Sequence, residues 1–247
     1  MEACYLCKEP AQLQRSHIVP SFVGKWLKDT SVTGFLRHGI NQSLRQQDIP
    51  RQALLCSSCE CRYSKFEDSF ARNIFYPYAQ QELDDWGVRK GVLRSIPYDE
   101  WLLKFVINIQ WRLLASGAKR RDEQLRNERS RNRFDDAIDV ALGDRAEYLL
   151  GKSETGGQER HCIIFLQIVT VAEGDFPERL NDKVIMYLLR SVDGTLARSS
   201  SNLLLYGKLG PIVLVSGLRP YELKGMKDAQ VRRRGVFVSL RTCVIQR

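Results

Sequence analysis

The chain has 247 residues, in which 38 lysines and arginines outweigh 29 acidic residues and give a formal net charge of +9. Hydrophobic residues make up 43% of the chain and charged residues 27%, which is ordinary globular usage and excludes a mainly disordered protein. The positive surplus makes a polyanion such as nucleic acid the first candidate partner. The N-terminus lacks the apolar stretch of a signal peptide, and no run reaches the ~18 apolar residues of a membrane helix, so we expect a cytoplasmic protein without membrane contact.

Residues 1–75 form the first predicted domain, because five of the seven cysteines and two of the three histidines lie there. Disulfides are not expected in a reducing compartment, and the odd number of cysteines favours the same conclusion. Two Cys-x-x-Cys pairs stand out, Cys4 with Cys7 and Cys56 with Cys59. Each two-residue gap lets one tight turn present both sulfurs to the same ion, so the spacing predicts a four-thiolate structural zinc site. Such a site has no open position for water, and any catalysis must lie beside it.

A helix is predicted to begin at the second cysteine pair, since Cys59, Tyr63, Phe66 and Phe70 recur at helical spacing. Glu60 and Glu67 are seven residues apart and return to nearly the same face of that helix. Two carboxylates on one face, near His17, suit a hard divalent cation. Hydrolysis of a phosphodiester needs a base that deprotonates water and a cation that steadies the phosphate, and these residues are candidates for both.

The second predicted region, residues 76–152, is helical. Residues 98–116 carry apolar side chains on overlapping helical faces, with Pro97 as the starting residue. Residues 119–133 hold seven basic and three acidic side chains, including Arg120 and Arg121. These arginines can contact DNA phosphates, or they can form a solvated helix face with i,i+4 ion pairs, and the sequence leaves both interpretations open.

The third predicted region, residues 153–247, is a mainly antiparallel β-sheet, which makes the whole chain α+β. Short β-branched or aromatic runs alternate with turn residues, a pattern typical of strands. These runs lie at 161–171, 183–192, 202–210, 211–218 and 235–245. Residues 219–247 hold eight basic and two acidic side chains, so Arg232, Arg233 and Arg234 join Arg15 as candidate DNA contacts.

The N-terminal motifs resemble those of the HNH, or ββα-metal, endonucleases. The zinc-stapled members of that family have a cysteine pair, a metal-binding acid or histidine before the base histidine in a hairpin, a second cysteine pair, and a ligand that opens the helix. The matching positions here are Cys4 and Cys7, Ser16 and His17, Cys56 and Cys59, and Glu60. Ser-His-Ile-Val-Pro at 16–20, followed by Leu-Leu-Cys-Ser-Ser-Cys-Glu at 54–60 and by Glu67, is similar to a bacterial subgroup with an S-H-I-[IV]-P signature.

This resemblance implies a metal-dependent DNA endonuclease. His17 would be the general base, Glu60 and Glu67, with Ser16, would hold Mg²⁺ or a similar ion, and a monomer would nick one strand. Some HNH proteins accompany antiphage systems, and the Zorya systems with an HNH effector nuclease are the expected setting, with other defence proteins as partners. Ser16 stands where the family usually has Asp or His, and Glu60 where it has Asn or His. The alternative is therefore a degenerate HNH or zinc-knuckle module that binds DNA or a protein without cleaving.

Overall fold

The structure is a computed structural model that describes residues 2–37, 43–80, 96–125, 135–155, 161–169, 187–198, 203–218, 235–237 and 242–246. It combines helices with a mainly antiparallel sheet, which confirms the predicted α+β class. Within these ranges, no helix has both the length and the apolar character needed to cross a lipid bilayer.

The described N-terminal part contains three short antiparallel strand pairs, one of them formed by its fourth and fifth strands. Strands β1 (Glu2–Ala3) and β2 (Pro10–Ala11) form a small hairpin around the first cysteine pair. Strand β3 (Leu13–His17) pairs with β6 (Arg51–Cys56), with a bulge between Gln14 and Arg15. Their connection contains helix α1 (Ser21–Asp29) and the short strands β4 (Leu36–Arg37) and β5 (Arg45–Gln46). The second strand of the β3–β6 pair thus leads directly into the next helix.

Helix α2 (Ser57–Phe70) follows β6 without a loop and begins two residues before the predicted start at Cys59. It continues through a π-helical turn (Ala71–Phe75) into the short helix α3 (Tyr76–Ala79). Glu60 lies in its first turn, where a carboxylate interacts favourably with the exposed backbone N–H groups. The predicted helix of the N-terminal domain is confirmed.

The described part of the middle region is mostly helical, while residues 81–95 and 126–134 lie outside the described residues. After the short strand β7 (Ile96–Tyr98), helix α4 runs from Glu100 to Leu125, and helix α5 spans Asp135–Leu149. Asp99, and not Pro97, caps α4, because its carboxylate accepts a hydrogen bond from the Trp101 N–H at 3.0 Å. Helix α4 is the centre of the molecule, with Leu102, Phe105 and Ile109 completely buried.

Within the described residues, the C-terminal sheet contains five strands in the order β13-β8-β11-β10-β9. They are β8 (His161–Val169), β9 (Val192–Arg198), β10 (Leu203–Leu209), β11 (Ile212–Gly217) and β13 (Thr242–Gln246). All neighbouring strands are antiparallel except β13, which runs parallel to β8. One part of the strand prediction was wrong: residues 187–190 form a helical turn, and β9 starts only at Val192.

Helix α4 connects the regions through a shared core. Phe105 of α4 stacks on Phe70 of α2, with ring centroids 3.9 Å apart. Strand β12 (Gly235–Phe237) pairs with β7, far earlier in the chain. One continuous buried cluster draws residues from all three predicted regions. The described core therefore crosses the predicted boundaries at residues 75 and 152. The division into three regions remains a prediction from the sequence.

Candidate functional site

The two predicted cysteine pairs meet in space. The Sγ atoms of Cys4, Cys7, Cys56 and Cys59 all lie within 4.8 Å of one another. Tetrahedral zinc with Zn–S bonds of ~2.3 Å requires sulfurs roughly 3.8 Å apart, so the observed spacing fits this ion. Among the described residues, this is the only group of three or more His, Cys, Asp or Glu side chains that could hold a metal ion. The four cysteines can therefore bind zinc.

Local backbone geometry explains how each pair reaches the cluster. Lys8 adopts a left-handed conformation (φ 68°), and its N–H donates a hydrogen bond to the Cys4 carbonyl at 2.9 Å, which closes the first turn. Cys56 ends β6, while Cys59 lies in the first turn of α2. A hydrogen bond with Ser58 is the main reason that the pKa of Cys56 falls to about 6. The thiolate is the form that binds metal, so this sulfur is prepared for zinc.

Ser16 contacts Glu60, the residue that follows Cys59 in the chain. The buried Ser16 hydroxyl donates a hydrogen bond of 2.8 Å to Glu60 Oε2, joining the end of β3 to the first turn of α2. These are the two positions to which the HNH resemblance assigns metal ligands. Both offer oxygen, the ligand type that hard cations prefer, and the Glu60 side chain is 32% exposed.

A charged side chain that the sequence reading did not identify lies between the predicted carboxylates. Arg112 of α4 is 1% exposed, and its Nη2 lies 3.0 Å from Glu67 Oε1 and 3.6 Å from Glu60 Oε1. Burial raises the pKa of Glu67, and the charge of Arg112 opposes that rise. The sequence did contain a signal for this contact. Arg112 lies within the apolar stretch of a predicted helix, and a buried charge requires a partner of opposite charge. Glu60 and Glu67 do share a face, as predicted, but a guanidinium already neutralises it.

His17 points to the opposite side of β3, because successive side chains of a strand alternate. Its Nε2 lies 3.2 Å from Asp48 Oδ2 and 2.8 Å from Arg51 Nε, and Arg51 also forms an ion pair with Asp48. An imidazole protonated on Nδ1 accepts from Arg51, whereas one protonated on Nε2 donates to Asp48. The sequence reading missed both partners, although Arg51 is directly opposite His17 in the strand register.

The protonation state of His17 suits a base. Burial lowers the pKa of His17; the hydrogen bond to Asp48 opposes this effect, while the charges of Arg51 and Arg112 lower the pKa further. The pKa of Asp48 is also low: burial would raise it, but hydrogen bonds from His17 and from the Ile49 N–H outweigh that effect. A neutral imidazole beside an ionised carboxylate can accept a proton and keep the resulting imidazolium stable.

The predicted DNA contacts are only partly visible. Arg15 is exposed on β3, on the same side of the strand as His17. Arg120 and Arg121 belong to α4, but their side chains lie outside the described part of the structure, and Arg232, Arg233 and Arg234 are also outside the described residues. Arg15 and Arg51 thus flank His17 with positive charge on one exposed face.

Comparisons of this chain with protein-family models, with curated proteins and with solved structures found no match. The likeness to HNH nucleases therefore depends on the motif residues and on their arrangement. This likeness assigns no family to the chain.

Proposed function

We propose that this protein is an HNH-type endonuclease that hydrolyses phosphodiester bonds in DNA and, as a monomer, nicks one strand. The observation that carries the proposal is the 2.8 Å contact between Ser16 and Glu60, immediately beside His17 in the chain and beside the four-cysteine cluster. The resemblance predicts that these two positions lie together although 44 residues separate them in sequence. The order of two antiparallel strands followed by a helix supports the same reading.

In the proposed reaction, the neutral His17 imidazole removes a proton from water. The water oxygen forms a bond to phosphorus, the bond from phosphorus to the leaving oxygen breaks, and that oxygen takes a proton from solvent. Asp48 stabilises the imidazolium that results, and Arg15 and Arg51 hold neighbouring phosphates on the exposed face. Ser16 and Glu60 would hold Mg²⁺ or a similar ion, which would neutralise the scissile phosphate if that phosphate lies at the end of β3, where His17 is the last residue and both sides of the strand are within reach.

The test is plasmid nicking by the zinc-loaded protein with Mg²⁺ or Mn²⁺. We expect His17→Ala to lower the nicking rate at least a hundredfold, because general-base catalysis contributes roughly 10² to 10⁴ in rate. Asp29→Asn is the matched control, since Asp29 is an exposed acidic residue on α1 that pairs with Lys25. Wild-type nicking by the His17→Ala protein, with unchanged zinc content, would eliminate His17 as the base.

The second candidate is a zinc-stapled binding module without cleavage. The observation that favours it is Arg112, whose guanidinium contacts both predicted metal-binding carboxylates. This candidate predicts that the wild-type protein binds duplex DNA or a protein partner but does not nick plasmid with any divalent ion. The same nicking assay therefore separates the two functions.

The setting that we propose is bacterial defence in the cytoplasm, with phage DNA as the substrate and other defence proteins as partners. Basic charge and the resemblance to HNH effectors support it. Phage plating on cells that carry the full gene neighbourhood is the test. We expect protection with the wild-type gene and its loss with His17→Ala, while equal plating in both would remove the defence role.

A further inference from the structure

We infer that Arg112 is a resident cation that keeps Glu67 out of the metal site, so that a divalent ion depends on Glu60 and not on Glu67. The inference rests on the proposed function, because it concerns the metal site of that nuclease. It departs from the sequence-based expectation that both carboxylates bind the ion.

The position of Arg112 gives the first argument. It lies in the middle of α4, and its neighbours along the helix, including Val106, Ile109 and Trp111, are buried. Its Nη1 donates a hydrogen bond to the His17 carbonyl at 2.9 Å, while Nη2 is directed to the two carboxylates. A guanidinium cannot lose its proton in a protein, so this positive charge is permanent. Helix α4 therefore delivers a fixed cation to the place between β3 and α2.

The two carboxylates are not equivalent. Glu67 lies closer to Arg112, at 3.0 Å, and its side chain is 16% exposed, whereas Glu60 is at 3.6 Å and is 32% exposed. Glu60 also accepts the hydrogen bond from Ser16 on its other oxygen. Two carboxylates and one guanidinium leave a single negative charge, and the geometry puts that charge mainly on Glu60. Glu60 is therefore the carboxylate available to an external cation.

Buried polar atoms of the site that lack a hydrogen-bond partner among the described residues also support the inference. Glu67 Oε1 is within ion-pair distance of Arg112 but makes no hydrogen bond to any residue that the structure describes, and the same holds for Arg112 Nε. Gln52, opposite Ser16 in the strand register, has a buried side-chain oxygen that accepts no hydrogen bond from the described part of the chain. Removing the guanidinium would leave the buried Glu67 carboxyl without a counter-charge, next to further oxygen acceptors, and a divalent cation bound there would restore that counter-charge.

The experiment measures Mn²⁺ binding to zinc-loaded full-length protein by the paramagnetic resonance signal of the free ion. We expect Glu60→Gln to weaken Mn²⁺ binding at least tenfold and Glu67→Gln to change it less than twofold. Arg112→Gln should strengthen Mn²⁺ binding at least tenfold, and the double variant Arg112→Gln with Glu67→Gln should lose that gain. Arg145→Gln is the matched control, because Arg145 is an equally buried arginine whose partners include Ala141 and Ser216.

Several results would overturn the inference. Equal weakening by Glu67→Gln and Glu60→Gln would show that both carboxylates bind the ion, and unchanged Mn²⁺ affinity in Arg112→Gln would show that the guanidinium does not compete. The inference is also supported if the Arg112→Gln variant folds only when Mn²⁺ is present, while the double variant folds without Mn²⁺. Plasmid nicking is scored separately: a wild-type protein that does not nick removes the proposed function, while the Mn²⁺ affinities still decide the role of Arg112.

Discussion

Arg112 donates a hydrogen bond of 2.9 Å to the main-chain carbonyl of His17, across 95 positions of the sequence. Lys119, on the same helix, donates to the Ala53 carbonyl of β6 at 2.8 Å. Helix α4 therefore holds both strands of the β3–β6 pair from one side. The candidate site is completed by a helix that lies outside the motif-bearing region of residues 1–75, and this relationship decides which fragments and variants can keep the site intact.

We expect a fragment of residues 1–75 not to fold stably, even with zinc. It loses the stacking of Phe70 on Phe105, the hydrogen bond from Tyr63 to the Leu149 carbonyl, and the counter-ion of Glu67. Exposure of a large aromatic side chain that the whole chain buries costs about 1.5 to 3 kcal/mol by itself. Amide NMR spectra of the zinc-loaded fragment and of the whole chain provide the measurement, and a well-dispersed spectrum of the fragment would contradict this expectation.

Replacement of a clustered cysteine should remove the zinc, whereas replacement of its exposed neighbour should not. Cys59→Ser deletes one of four sulfurs that lie within 4.8 Å, while Cys61 is exposed and outside the group. Structural zinc contributes on the order of 10 kcal/mol to the folding of small modules, so the loss should unfold the N-terminal part. Metal content and thermal melting of Cys59→Ser and of the control Cys61→Ser check this. Full zinc occupancy in Cys59→Ser would exclude the four-sulfur site.

The pH profile of nicking should respond in opposite directions to the two neighbours of His17. Asp48→Asn removes a carboxylate that raises the pKa of His17, so the acidic limb of kcat/KM should move to lower pH, by about half a unit to one unit. Arg51→Gln removes a positive charge that lowers this pKa, and the limb should move to higher pH. A base is active when unprotonated, which sets both signs. A limb that stays in place in both variants would mean that it does not report His17.

Two glycines with positive φ should differ in their tolerance of alanine. Gly210 (φ 60°) would place a Cβ 2.8 Å from the Trp26 ring, whereas Gly34 (φ 69°) has nothing within 4 Å of that position. Gly34→Ala meets backbone strain alone, about 1 to 2 kcal/mol. Gly210→Ala adds the clash with Trp26, for a total of roughly 2 to 5 kcal/mol. Urea denaturation of both variants measures the difference, and equal losses would indicate that the Trp26 contact is not formed.

The buried Lys208 should make stability depend on pH. Burial lowers its pKa to about 7, and its ammonium donates to the Leu188 and Gly210 carbonyls. Between pH 7 and the ordinary lysine value of 10.5, the unfolded chain binds more protons than the folded protein, so this residue's contribution to stability rises with pH. Relative to Lys208→Met, the wild type should gain about 2 to 3 kcal/mol from pH 7 to pH 9. A free energy of unfolding that changes equally with pH in the two proteins would refute this.

The sequence alone determined the features that depend on neighbours in the chain. The Cys-x-x-Cys spacing predicted the cluster, since a two-residue gap can present both sulfurs in one turn. Apolar periodicity predicted α2 and α4 to within a few residues at their starts, and the β-branched runs predicted an antiparallel sheet. Local pattern failed where packing decided the outcome, as at residues 187–190 and in the parallel placement of β13.

Only the tertiary structure decided the electrostatics of the candidate site. His17 contacts Asp48 and Arg51, which lie more than thirty positions later in the chain, in a connection and in a strand. Arg112 reaches the site from another helix. A motif shows which side chains can serve as ligand or base. It does not show which oppositely charged side chains the packing of the fold places next to them. Because a charge taken out of water needs a partner within a few ångströms, the fold, through α4, determined whether Glu60 and Glu67 could act together.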